Sequence, residues 1–470
     1  MTAGSLFSAV ATAGNQDEVP APKVMGPLSG QPMTGAVHDV SEHGYIEEEY
    51  FVQGKARPLG PVNPYPIDQR ESPSEKPAPY RTRVLIYRPA YDRGFNGTLV
   101  AEWPNVSTGR DAPVTWINTF DYAMREGYAF AVASSQKVGV DDSHTDQDLK
   151  TAQPDRYGSL HHPGDEYSYD IFAQAIQALT RSSNSKPGHT SKKRKSNAPL
   201  RDLDVERVVA TGMSQSAQYL RYYINNIQAE QDLIDGFLPF VTAETPADQD
   251  DIWDDLAPVM WVMSESEANQ VRREDSGLFR LWEVSGASHI NYWLVHWAQA
   301  MDARDFGEDN PPWNRMIAGQ YGQRAEGDPG TSYDVCGVNY FPMRYAYRAA
   351  MDQLQDWLIE GEAPPSAPRI ERTVADDGSV TVARDQYGNA KGGLRLPVLD
   401  VPLVYYDISC GTYGSTHRLE EETINSLYSD RQAYIEELEC AVDETVDSGY
   451  LLVDDAMDLL RRAQRADVTV

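Results

Sequence analysis

Three cysteines (Cys336, Cys410, Cys440) in 470 residues are too few for a disulfide scaffold, and none stands in a CxxC or Cys/His spacing that would hold zinc. Cys336 and Cys410 fit one bridge if the protein is exported, or two buried thiols. No stretch approaches the ~20 consecutive apolar residues that span a bilayer, so no membrane span is expected. The opening MTAGSLFSAVATAGNQDEVP lacks a basic n-region and shows no evident signal peptide, which leaves a soluble chain of either cytoplasmic or exported location. Cations are also scarce: 41 Lys+Arg face 71 Asp+Glu, a net charge of −30. That balance argues against nucleic acid and anionic membrane as partners, because both are held by basic surfaces. Oligomeric state is not readable from these features.

What is present is a globular composition, 41% hydrophobic, with a recurring strand and helix rhythm. Residues 1–40, rich in Pro, Gly and Ala, read as an extended lead-in. GYIEEEYFVQGKA and YRTRVLIYRPA read as strands rich in β-branched and aromatic residues, joined by a Pro-rich connection. Then strands (TLVAEWP, YAFAVASS, ERVVATG, DGFLPFVT, PVMWVMS, FRLWEVSG) alternate with helical patterns such as PVTWINTFDYAMREG and EYSYDIFAQAIQALTR. This order predicts an α/β fold with a mostly parallel, doubly wound sheet, antiparallel strands at its N-terminal side and a C-terminal extension. The basic, Ser-rich run at 181–200 reads as a surface loop. Residues 41–470 are expected to form a single domain, with a distinct C-terminal part from about residue 300.

One stretch carries chemistry. In VVATGMSQSAQYLRYYI, Ser214 lies between an apolar run and a helical pattern, with Gly212 two residues before it and Ser216 two after. A nucleophile on a sharp strand-to-helix turn needs small residues at those places, since strand and helix approach closely there. The plainer reading is a serine N-cap, which Ser214 would supply equally well. Chain order gives an independent test, because in the α/β-hydrolase arrangement an acid and then a histidine follow the serine, each after a later strand. Three histidines follow Ser214. His289 sits just past FRLWEVSG in a small-residue loop and is the preferred base; His296 lies in an aromatic helical run, and His417 is remote. For the acid, PVMWVMSESEA offers Glu265 and Glu267, with Glu267 preferred narrowly and Glu244 outside both. The oxyanion donors are expected from the N–H of Gln215 and from the loop after TLVAE, at Asn105, Val106 or Ser107.

These stretches, with NGTLVAEWPNVS, RYGSLHHPGDEYSYDIFAQA, AAMDQLQDWLIEGEAPP and DQYGNAKGGLRLPVLDVP, run in order along nearly the whole chain. Together they resemble the alpha/beta-hydrolase-domain family of mostly bacterial proteins. The resemblance implies an α/β-hydrolase fold with a family-specific C-terminal part, Ser214 as nucleophile and His289 as base. Two departures stand out: Glu265 and Glu267 occupy the place of an acidic E-x-D pair, and Asn291 stands where Asp is common two residues after the histidine. The basic run at 181–200 lies outside the pattern.

The sequence-based expectation is a serine hydrolase acting through a Ser-His-Glu triad on a small-molecule ester, with no cofactor and no metal. An acyltransferase or amidase using the same residues, or a fold serving only to bind, are the alternatives. Trp103, Trp293, Trp297 and Trp313 lie in or near the expected site loops and hint at an apolar or aromatic substrate part, with core packing the competing explanation. Arg395 is a candidate for meeting a substrate carboxylate, with turn formation the competing role.

Overall fold

The computed structural model describes residues 22–62, 76–180, 199–200, 202–242, 256–268, 272–309, 339–409, 411–466 and 468. The basic run at 181–198, Glu244, Trp313, Cys336 and Cys410 therefore lie outside the described residues, whereas Cys440 is an exposed free thiol.

Nine strands form one sheet: β1 Lys23–Met25, β2 Tyr45–Ala56, β3 Ala78–Pro89, β4 Thr98–Glu102, β5 Ala129–Ala133, β6 Arg207–Met213, β7 Gly236–Phe240, β8 Val259–Ser264 and β9 Phe279–Val284. Their spatial order is β1-β2-β3-β5-β4-β6-β7-β8-β9. The first three strands and the β3/β5 pair are antiparallel; every pair from β5 through β9 is parallel. The chain thus leaves β4 toward β5 and then returns past β4 to build outward from β6. The reversal opens a crevice at the carboxyl ends of β4 and β6, the place where doubly wound sheets bind ligands.

The parallel strands are buried on both faces, which explains their continuous apolar runs. Alternate residues face different cores: Leu99, Ala101, Val208, Ala210 and Trp261 face one, and Val100, Val209, Met213, Met260 and Val262 the other. Among the described residues the helices of eight or more residues are α1 Val114–Arg125, α2 Ser168–Thr180, α3 Gln215–Asn226, α4 Tyr292–Phe306, α5 Met343–Glu360, α6 Arg431–Asp447 and α7 Val453–Ala463. Helices α2 and α3 cover the first face, while α1, α4 and α5 cover the second. Among the described residues no helix is long and apolar enough to cross a membrane.

Residues 22–40 are more than a lead-in. Strand β1 pairs with β2, and the carbonyl of Met33 and the hydroxyl of Thr34 accept hydrogen bonds from the buried Arg83 guanidinium, which also pairs with Asp111. The C-terminal part is integral in the same way. Arg348 of α5 pairs with Asp121 of α1 and Asp455 of α7, and Leu438, Val442 and Leu459 belong to the same hydrophobic core as α1, α4 and α5. The free edge of β9 is covered as well. Leu394 N–H donates to Glu283 O at 2.7 Å and Leu394 O accepts from Ser285 N–H at 3.0 Å, which removes an exposed strand edge.

That edge contact needs a glycine at Gly393, where φ is 70° and a Cβ would lie 2.8 Å from Glu283 O and collide with Ser285 Oγ. Gly393→Ala should lower stability by about 2 kcal/mol, read from the urea midpoint. A second prediction concerns Glu102 at the end of β4, whose oxygens accept Thr115 N–H at 2.6 Å and Trp116 N–H at 2.9 Å at the start of α1. Burial pushes its carboxyl up to about 8, against the pull of those two donors. The folded state then holds a proton that the unfolded chain, titrating near 4.5, releases earlier. This contribution is full below the unfolded value and is lost as pH rises through about 8. Glu102→Gln should flatten the decline in unfolding free energy between pH 5 and pH 8, measured by urea titration at each pH.

Candidate active site

Ser214 stands between β6 and α3 with φ 64° and ψ −123°, a conformation that a non-glycine residue adopts only when its surroundings enforce it. The enforcement is visible. Ser214 N–H donates to Phe240 O at 3.0 Å, and Ser214 O accepts from Ala217 N–H at 3.0 Å. Ser216 Oγ accepts from Met213 N–H at 3.0 Å and donates to Met213 O at 2.9 Å. At Gly212 a Cβ would already lie 3.1 Å from Ser216 Oγ and 3.2 Å from Leu220 Cδ1. The small residues on both sides of the serine are thus required by close approach of strand to helix.

His289 comes from the loop after β9 and Glu267 from a single helical turn, Glu265–Glu267, after β8. Ser214 Oγ is 2.8 Å from His289 Nε2, and His289 Nδ1 is 2.6 Å from Glu267 Oε1. Glu267 Oε2 accepts from Ser264 N–H at 3.0 Å and Ser264 Oγ at 2.5 Å, and His289 N–H donates to Ser266 Oγ at 3.1 Å. Each member of the chain of hydrogen bonds is therefore itself held. Glu265, the alternative acid, turns away: Oε2 accepts from Gly286 N–H at 2.7 Å and Oε1 lies 2.5 Å from Arg384 Nη1. Burial pushes its carboxyl upward, with Arg384 opposing.

The loop after β4 closes on itself through paired Asn105–Ala112 backbone bonds of 2.9 Å. Asn105 Nδ2 donates to Met213 O at 3.1 Å, tying the loop to the residue before the serine, and Asn105 Oδ1 accepts from Ser107 N–H at 2.9 Å. Two of the three expected loop donors are thereby committed: Asn105 N–H to Ala112, Ser107 N–H to its own Asx turn. Among the described residues the N–H groups of Val106 and Gln215 make no hydrogen bond. Gln215 opens α3, where helical N–H groups lack internal partners and favour negative charge.

Ser214 and His289 line a cavity of about 450 Å³. Its apolar lining comes from Val114, Ile117, Met213, Ile290, Leu294, Val295 and Met301, with Thr412 and Tyr413 of the C-terminal part also contributing. Trp103, Trp293 and Trp297 do not line it. Trp103 packs on Tyr169, Phe172 and Tyr219, and Trp293 and Trp297 are buried in the opposite core, so for these three core packing is the role that the structure shows. His296 is buried beside Tyr292, and His417 stacks on Tyr405 and meets Ser415, both away from Ser214. Arg395 clamps its own segment, through Asp400 at 2.6 Å and Leu399 O at 2.9 Å, and does not reach the cavity. Sequence reading missed Arg110, Gln299 and Asp302, which line the cavity from a loop and a helix with no motif to mark them.

Among solved structures, those of the esterase Est22, one of them with p-nitrophenol, share 11% identity over 47% of this chain, with TM-scores of 0.27. The match spans 64% of Est22, so just under two thirds of that protein is represented. A protein from Klebsiella pneumoniae subsp. pneumoniae MGH 78578 with a provisional dienelactone hydrolase assignment shares 14% identity over 47% of this chain and 75% of its own, with a TM-score of 0.24. No curated protein matches the chain. The family described as "Alpha/beta hydrolase domain" matches residues 16–461, and with the sheet order and strand-end loops described above the chain belongs to that family and has its fold.

Proposed function

We propose that the protein is a serine hydrolase that cleaves small carboxylic esters through an acyl-enzyme intermediate. The observation carrying this reading is the continuous Ser214–His289–Glu267 hydrogen-bond chain opening on the cavity. Ser214 Oγ attacks the acyl carbon as its proton passes to His289 Nε2. Glu267 fixes the ring with Nδ1–H toward its carboxylate and stabilises the imidazolium that forms. The N–H groups of Val106 and Gln215 stabilise the developing oxyanion, each such donor being worth about 3 kcal/mol in the transition state. His289 returns its proton to the departing alkoxide, the alcohol leaves, and water repeats the sequence on the acyl-serine. The chemistry calls for no cofactor. A cavity of about 450 Å³ with an aliphatic wall suits short to medium aliphatic groups.

Ser214→Ala should lower hydrolysis of short p-nitrophenyl esters by roughly four orders of magnitude or more while far-UV circular dichroism stays unchanged. Turnover equal to that of the parent protein would overturn the assignment. Glu267→Gln should reduce kcat by about 10³–10⁴-fold through loss of the correct tautomer. Glu265→Gln should instead act on stability, lowering the urea midpoint because it leaves Arg384 without its buried partner. Equal kinetic losses in the two glutamate variants would contradict this division of roles.

A further inference from the structure

The cavity has a direction as well as a lining, and α4 defines it. The helix begins three residues after His289, and Leu294, Val295, Ala298 and Met301 line the cavity in turn before Asp302 does. Residues three and four apart share one face of a helix, so the four form an apolar stripe that starts beside the base and runs away from it. Gln299 also lines the cavity, at the margin of that stripe. With a rise of about 1.5 Å per residue, the stripe from Leu294 to Met301 is about 10 Å long. Its position is fixed at both ends. Near the start, Trp293 Nε1 donates to Ile117 O of α1 at 2.8 Å, and Val114 and Ile117 of α1 line the same cavity. Past the far end, Arg304 donates to Gly35 O and Ala36 O, and Asp305 accepts from Thr34 N–H.

Beyond the stripe the wall becomes charged. Asp302 pairs with Arg110 from the loop after β4, and both side chains line the cavity. They keep 15% and 10% of their surfaces exposed, so a methylene group laid against them would displace water from two charges and offer no hydrogen bond in return. An extended alkyl chain advances about 1.3 Å per carbon, given C–C bonds of about 1.5 Å, so the apolar stripe covers roughly eight carbons. We propose that the α4 stripe receives a linear alkyl chain of the substrate and that the Arg110–Asp302 ion pair ends it, making medium-chain aliphatic esters the preferred class. Ala298, the smallest side chain of the stripe, keeps its middle open. This rests on the ester-hydrolase reading of Ser214.

The test uses the full chain and two ester series, methyl esters of linear two- to twelve-carbon acids and acetates of linear two- to twelve-carbon alcohols. Both are kept below their critical micelle concentrations and followed by pH-stat. In one series kcat/KM should rise about two- to fourfold per methylene up to about eight carbons and no further. Ala298→Leu should bring that limit down to about five carbons, because residue 298 stands about 6 Å along the helix from Leu294. Arg110→Met combined with Asp302→Leu removes both charges together and should carry the rise beyond ten carbons. Wild-type rates that ignore chain length in both series, or that still climb at twelve carbons, would overturn the proposal. So would a limit unmoved by Ala298→Leu or by the double variant. Should the double variant not fold, the wild-type profile and Ala298→Leu decide. Ser214-dependent hydrolysis of the shortest esters without the limit removes the stripe alone. If wild type hydrolyses no member of either series, the ester-hydrolase reading fails, and saturation-transfer NMR competition with linear 1-alkanols judges the stripe separately. Affinity that rises to about eight carbons and then levels keeps it; any other trend removes it.

Discussion

At Ser214 the backbone takes φ 64° and ψ −123°, a conformation that costs on the order of 1–3 kcal/mol and persists only where neighbours over-determine it. Those neighbours come from four directions: Phe240 O at the end of β7, Ala217 N–H in the first turn of α3, the Ser216 hydroxyl folded back on Met213, and Asn105 Nδ2 from the loop after β4. The strained turn lifts the serine hydroxyl clear of the sheet so that it faces His289. The same geometry leaves Gln215 N–H at the open start of a helix, so the proposed nucleophile and the proposed oxyanion donor are set by one backbone distortion.

The sheet order determines what can meet that serine. Because β4 and β6 are neighbours although far apart in sequence, the loop after β4 lies against the elbow, and β8 and β9 deliver Glu267 and His289 from the same side. The carboxyl ends of β4, β6, β8 and β9 therefore bring the Asn105 loop, Ser214, Glu267 and His289 together, and β7 holds the serine through Phe240 O. The C-terminal part contributes to the cavity as well as to stability. Ile290 N–H donates to Thr412 O at 2.8 Å immediately after His289, and Thr412 and Tyr413 line the cavity. Arg348, paired with Asp121 and Asp455, fastens α5 to α1 and α7.

Much of this was legible in the chain. The continuous apolar runs of β4 to β9 mark strands buried on both faces, and Gly212 and Ser216 mark a turn that admits no bulk. His289 is distinguished by following a strand in a loop of small residues. The choice between Glu265 and Glu267 was harder because both lie on one helical turn. In the structure Glu267 meets His289 while it caps that turn back toward Ser264, a rotameric matter invisible in composition. What stayed hidden are contacts between polar residues distant in sequence, such as Arg110 with Asp302 and Arg83 with Asp111, since charge pairing has no periodicity. Trp103, Trp293 and Trp297 were ambiguous for a related reason: proximity to a site loop does not say which face of the loop a ring occupies, and Trp103 faces the core.

Everything proposed for this site depends on Ser214 carrying the acyl group. Acid quenching of the protein during turnover of a p-nitrophenyl ester, followed by proteolysis and mass spectrometry, tests it most directly. An acyl adduct is expected on the peptide containing Gly212 to Ser216, localised to Ser214 and absent in Ser214→Ala. Steady hydrolysis with no adduct on that peptide, or an adduct on another residue, would contradict it.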